Sequence, residues 1–235
     1  MEELAQLSNA SASYDDIASM GPPAAPLAFP DPVLGIAARV TAIVFSPESG
    51  TEIMADNVIY KVNPASQNEL PNHAYLIGRK LKRAIYGCVR AASVLRLRDR
   101  DRRVWEMTNE LSAVKIIEWN AVRQMKGRQM EDPVKEVACM QHISKDGLDL
   151  HPNVLGTLDV LADEQYMYSF MPFCTGGEMF AYVEKEGRFP EPLARYWFKQ
   201  ILQVSWCVVF NCLLFSCCDA LLINFCASIP FASYP

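Results

Sequence analysis

The sequence predicts an α+β domain between Tyr75 and Leu202, and three observations predict it. Runs rich in β-branched and aromatic residues recur at Tyr75–Leu81, Cys88–Leu95, Leu111–Ile117 and Tyr166–Met171. Between the third and fourth runs, Asp132-Pro133 opens a segment in which Val137, Met140 and Ile143 recur at helical spacing. A second helical pattern, carried by Leu193, Trp197 and Ile201, follows Gly187-Arg188-Phe189-Pro190-Glu191.

The composition changes on either side of that span. Residues 1 to about 70 are rich in Ala, Ser and Pro, with Pro22, Pro23, Pro26, Pro30 and Pro32 close together, and read as a disordered leader. Val40–Phe45 and Val58–Val62 are β-like runs within it, but nothing in the sequence identifies a sheet for them. From Val204 to Pro235 the only charged residue is Asp219, while Val, Leu, Phe, Cys and Ser dominate. The expected organisation is therefore a leader over 1–70, a folded unit over 75–203 and an apolar tail over 204–235.

A formal net charge of −5 and a pI near 5.3 give no electrostatic footprint for nucleic acid, which is excluded as a partner. Of the eight cysteines, Cys88, Cys139 and Cys174 are scattered and the others crowd between Cys207 and Cys226, with no zinc-ligand spacing. Met1–Ser19 carries Glu2, Glu3, Asp15 and Asp16 and lacks the basic and apolar regions of a secretory signal. A reducing, cytoplasmic location is the expectation. The run from Arg96 to Arg103, interleaved with Asp99 and Asp101, reads as a solvated turn between strands rather than a docking patch. His142 and His151 show no metal-ligand arrangement.

Four segments carry candidate chemistry. Leu81-Lys82-Arg83-Ala84-Ile85-Tyr86-Gly87-Cys88-Val89 joins two strands, and by itself is only a hairpin. Leu111-Ser112-Ala113-Val114-Lys115-Ile116-Ile117 alternates as a strand does and places a lysine among apolar residues. Such a lysine needs an anionic partner, because an unpaired buried ammonium costs several kcal/mol. Glu136 stands in the first turn of the helix opened by Asp132-Pro133; alone it would be a solvated helical glutamate. Tyr166-Met167-Tyr168-Ser169-Phe170-Met171 is followed by Pro172-Phe173-Cys174-Thr175-Gly176-Gly177-Glu178-Met179-Phe180, a strand leaving into a short link and a helix.

In this order, with His151-Pro152-Asn153-Val154-Leu155 before the last strand, the segments resemble the ATP-binding half of a eukaryotic protein kinase domain. The first is similar in register to the glycine-rich loop, G-x-G-x-x-G-x-V, with Lys82 and Ala84 in place of two glycines, only Gly87 retained, and Tyr86 at the tip. The second resembles V-A-I-K. The resemblance implies that Lys115 engages the α- and β-phosphates of ATP and that Glu136 orients it. It implies that Val89, Ala113, Met171 and Cys174 enclose adenine, that Pro172 offers a carbonyl and Cys174 an N–H, and that Glu178 contacts the ribose. Proline lacks only its N–H, so Pro172 keeps its acceptor. The Gly187-Arg188-Phe189-Pro190-Glu191 segment is similar to calcium/calmodulin-dependent-like serine/threonine kinases. The implied fold is a kinase-like N-lobe, a twisted antiparallel sheet of about five strands plus helix C, followed by the first helices of the C-lobe, and incomplete.

A working kinase then supplies H-R-D-x-x-x-x-N and D-F-G, the latter holding Mg against the phosphates. Neither occurs here. Asp219-Ala220-Leu221-Leu222-Ile223-Asn224 has the D-x-x-x-x-N spacing, but Cys217 and Cys218 replace His and Arg, and Leu221 replaces the usual lysine. No catalytic residue is assigned, and phosphotransfer is expected to be absent. ATP, with Mg by resemblance, is the expected ligand; a protein partner is expected through helix C or helix E. Two readings of the tail stay open. As a helix, Val204–Phe225 would reach about 33 Å, enough for a membrane's hydrocarbon core, although Asp219, Asn211 and Asn224 oppose insertion. Alternatively, Val204-Ser205 is what translation through an intron donor yields, marking a truncated product.

Overall fold

The computed structural model describes residues 31–66, 69–126, 132–144, 153, 155–176 and 179–212. Seven strands are present among them: β1 (Gly35–Ser46), β2 (Thr51–Val62), β3 (His73–Ala84), β4 (Gly87–Asp99), β5 (Val104–Glu118), β6 (Asp159–Ala162) and β7 (Tyr166–Pro172). The helices are α1 (Trp119–Met125), α2 (Pro133–Ile143), α3 (Met179–Glu186) and α4 (Glu191–Cys212).

The predicted sheet is present. Strands β3, β4, β5, β7 and β6 lie side by side in that order, and every neighbouring pair is antiparallel. The predicted strands grow because ladder pairing continues past the apolar runs, in β5 back to the buried Val104 and Trp105. The helix expected from Asp132 forms as α2, and Asp132 caps it by accepting from the N–H groups of Val134 and Lys135.

The stretch read as a disordered leader departs from expectation. Its residues 35–46 and 51–62 form a long hairpin around the turn Pro47–Gly50, where the Gly50 N–H bonds the Ser46 carbonyl at 2.9 Å. β2 pairs with β3, and β1 runs parallel to β6 through Gly35↔Leu161 and Ile36↔Ala162, so the five-stranded sheet closes into a seven-stranded barrel. The far end of β1 also runs parallel to the start of β5. The prolines cluster before residue 33 and leave the hairpin strands free of proline, so the ladder runs their whole length with one register shift between Val40 and Ala42.

Alternation along the strands sorts side chains onto two faces. Ile59, Tyr75, Ala92, Val114, Leu161, Tyr168 and Phe170 meet inside the barrel. Val44, Val58, Leu95 and Trp105 form a second cluster between the first five strands. The opposite face of the sheet carries Tyr86, Ile117, Val160 and Met167, against which α1 and Val137 of α2 pack.

A polar cluster ties the two outer strands of the five-stranded sheet together across the closure. His73 Nε2 lies 3.0 Å from Asp159 Oδ2, and the Tyr75 hydroxyl donates to the same oxygen at 2.6 Å. Burial by itself would raise the Asp159 carboxyl, but the bonds from His73 and Tyr75 and the charges of His73 and Lys61 hold it below its ordinary value. The hydrogen bond to Asp159 raises His73 in return, and burial together with that bond pushes Tyr75 upward. The Tyr75 ring stacks on Phe170 with centroids 3.8 Å apart.

The arginine-rich run forms the end of β4 and the turn that leads to β5, as the solvated-turn reading expects. Four of its arginines meet carboxylates: Arg96 with Glu110 and Arg98 with Glu106 across the β4–β5 pair, and Arg100 with Glu69 and Arg102 with Glu52 from the turn.

Candidate functional site

Strand alternation on β5 directs Ala113, Lys115 and Ile117 toward the helical side and Val114 and Ile116 into the barrel. In register, Lys115 lies between Val89 of β4 and Ser169 of β7, while Ala113 faces Met171. Across from this face, the Asp132 cap and Pro133 start α2 so that Glu136 falls in its first turn, where a carboxylate is also favoured by the helix dipole. The Lys115 ammonium meets both oxygens of Glu136, at 2.7 and 2.6 Å. Both side chains are less than one-fifth exposed. The pairing that the kinase resemblance implied is formed, in a site sheltered enough that removing either partner would leave a poorly solvated, uncompensated charge.

The apolar residues assigned to adenine also converge. Ala113 and Met171 are buried in one cluster, with Val89, Phe173 and Cys174 packed against it. Pro172 ends β7, and the Cys174 thiol lies 4.0 Å from the Pro172 carbonyl oxygen. Glu178 lies outside the described residues, as do His151, Pro152, Gly177, Asp219 and Asn224.

The hairpin between β3 and β4 differs from expectation in two respects. Tyr86 does stand in the turn, but its ring is buried with Ile117, Val137 and Met167, its carbonyl accepts the Glu118 N–H, and Ile85 takes the exposed position. Gly87 has a packing reason of its own. A Cβ there would lie 2.1 Å from the Ile116 carbonyl oxygen, and its φ of 155° is one that side chains rarely adopt. Close approach of β4 to β5 requires this glycine whether or not a phosphate is bound.

Three residues of the site were not assigned to it from sequence. Met140 and Leu155 are buried in the same cluster as Ala113 and Met171. Met140 stands four residues after Glu136, so helical spacing alone puts it one turn further on the same side. Ser169 is 1% exposed, pairs in register with Lys115, and its hydroxyl has no hydrogen-bond partner among the described residues. Alternation from Met167 and Met171 would have found it. A separate cavity of about 210 Å³ opens on the other side of the sheet, between Arg39, Asn57, Arg90 and Tyr166, and includes neither Lys115 nor Glu136.

Comparison with known proteins agrees with this geometry. Residues 102–207 match the protein kinase domain family, which covers β5 with its lysine, α2 with its glutamate, and β6 through most of α4. The kinase resemblance read from the sequence is borne out over this span, as an incomplete kinase-like domain. Similar proteins include the probable serine/threonine-protein kinase fhkD of Dictyostelium discoideum, 38% identical over 100 residues that make up 41% of this chain and 12% of that protein. CBL-interacting serine/threonine-protein kinase 16 of Arabidopsis thaliana is 32% identical over 43% of this chain and 20% of its own length. CBL-interacting serine/threonine-protein kinase 9 of the same plant is 27% identical over 63% of this chain and 28% of its own. The chain thus spans between about an eighth and somewhat over a quarter of these relatives.

Proposed function

We propose that the unit from β3 to α4 binds an adenine nucleotide on its helical face, a role inherited from an ATP-dependent serine/threonine phosphotransferase. The observation that carries this reading is the Lys115–Glu136 pair beside the Ala113–Met171 cluster. An ammonium held by one carboxylate keeps donor capacity for phosphate oxygens, and a small residue at Ala113 leaves an apolar wall for a purine. In this reading Val89, Ala113, Met171 and Cys174 enclose the base, the Pro172 carbonyl and Cys174 N–H address its edge, and Glu178 reaches the ribose. Gly87 lets the hairpin lie close over the phosphates.

The residues present fit the base and the phosphates better than they fit Mg. Among the described residues no group of three His, Cys, Asp or Glu side chains could hold a metal ion. H-R-D and D-F-G do not occur in the sequence, so no phosphotransfer step is assigned to this chain. A thermal shift titration with ATP tests the reading. Wild type is expected to gain a few degrees at saturating ATP and Lys115→Ala to gain none. No gain in wild type, or an equal gain in the variant, sinks the proposal. Phosphotransfer that disappears in Asp219→Ala would overturn the expected inactivity.

A second reading, a pseudokinase-like interaction module, is favoured by Phe198 and Leu202 of α4, which are 60% and 52% exposed. Several relatives are named as CBL-interacting, and a protein partner for this chain would engage α2 or α4. No described helix is long and apolar enough to cross a membrane.

A further inference from the structure

Helix α2 is gripped on a second side by the chain that precedes β1. The Gln141 side chain donates from Nε2 to the Val33 carbonyl at 2.7 Å and accepts the Val33 N–H at Oε1 at 2.8 Å. One primary amide thus satisfies both backbone groups of one residue, as a neighbouring strand would. The two residues are 108 apart in sequence, so this contact is purely tertiary. Two residues after Val33, Gly35 pairs with Leu161 of β6. A Cβ on Gly35 would stand 2.8 Å from Leu161 Cδ2, so a glycine permits β1 to come this close. The segment before β1 is therefore anchored to the barrel at one end and to the helix at the other.

The geometry around the helix axis gives that contact a purpose. Glu136 and Gln141 are five residues apart, which separates them by about 140° around the axis and about 7.5 Å along it. Val137, Ala138, Cys139 and Met140 seat the helix on the sheet by packing, which is tolerant of small rotations, whereas two polar grips at different azimuths and heights narrow the roll further. The C-cap residue Ser144, which accepts the Thr157 N–H at 2.7 Å, fixes the end of the helix more than its rotation. The clamp is exposed, with Val33 at 76%, so it can open without unpacking the barrel.

We infer that Asp31–Leu34 is an intramolecular strap that sets the roll of α2, with Gln141 a positioning residue for the Lys115–Glu136 pair. The consequence for nucleotide binding rests on the function proposed above; the strap itself does not. Amide hydrogen exchange on the full chain tests it. In Gln141→Leu, amides of α2 are expected to exchange roughly tenfold faster while those of β5 and β7 keep wild-type protection. Gln141→Glu supplies the control. Its carboxylate can accept from Val33 but cannot donate to it, whereas the protonated acid does both, so α2 protection relative to wild type should recover as pH falls through about 4 to 5. A purely structural loss would show no such recovery.

Unchanged α2 protection in Gln141→Leu, loss spread evenly over β5 and β7, or no recovery in Gln141→Glu overturns the inference. If Gln141→Leu does not fold, the pH series on Gln141→Glu decides alone. An ATP titration of wild type keeps the two ideas apart: a wild type that ignores ATP removes the proposed function, and the exchange result still rules on the strap.

Discussion

On one face of β5, Val114 and Ile116 meet side chains from other strands of the barrel; on the other face, Ala113, Lys115 and Ile117 meet helices and the chain leaving β7. The barrel face is mostly apolar and closed on itself by strand pairing. The helical face carries the one described Lys–Glu contact that is largely shielded from water, and its partner helix is seated by the buried residues Val137–Met140 and by a few specific bonds. The same strand therefore serves stability with one set of alternate residues and the candidate chemistry with the other. Substitutions one position apart should consequently fail in different ways.

The largest contrast is expected at Phe170, which is fully buried in the barrel beside Met171 of the helical face. Phe170→Ala removes an aromatic stacked on Tyr75 and should cost about 3 to 5 kcal/mol in urea denaturation. If the loss were below about 1 kcal/mol, the barrel interior would not be the stabilising core. Gly87→Ala comes next, because the new Cβ forces backbone movement against Ile116. It should cost about 2 kcal/mol by the same measurement, even without nucleotide. A neutral Gly87→Ala would show that the hairpin is looser than its ladder implies.

The smallest effect is expected from His73→Gln, and it has a sign. His73 is raised on folding, so its contribution is fully present below its ordinary value of 6.5 and is lost as pH rises through the folded value. Asp159 is lowered, so its contribution is present above its ordinary 3.8 and is lost as pH falls through the folded value. The closure is strongest between those limits. Because His73 is about half exposed, the wild-type Tm should exceed that of His73→Gln by only about 2 °C near pH 5.5, and by less near pH 8. A gap that widened toward pH 8 would contradict the assigned partnership.

Much of the helical face was legible because its information is local. The strand around Lys115 declares itself by alternation, and α2 by a capping aspartate, a first-turn proline and apolar residues at helical spacing. The hairpin of β1 and β2 was visible only as two β-like runs. Which edges it would bridge depends on β3 and β6, and β6 lies roughly a hundred residues away, where no periodicity reaches. The burial of Tyr86 was hidden for the same reason, since its position in a turn suggests exposure and only the arrival of α2 covers it. Ser169 was hidden by its neighbours, being a small polar residue in an aromatic run.

By itself the sequence determined the β-like runs and the capped helix, because each follows from residues within a single strand or a few turns, while the antiparallel order of the sheet and the pairing of Lys115 with Glu136 were readable only through the kinase resemblance. The tertiary structure decided that the sheet closes into a barrel, that Gly87 is demanded by Ile116, and that Val33 and Gln141 hold the glutamate helix from a second side. Those three outcomes are close approaches between segments distant in sequence, and they are fixed by which backbones come within reach once the core has packed.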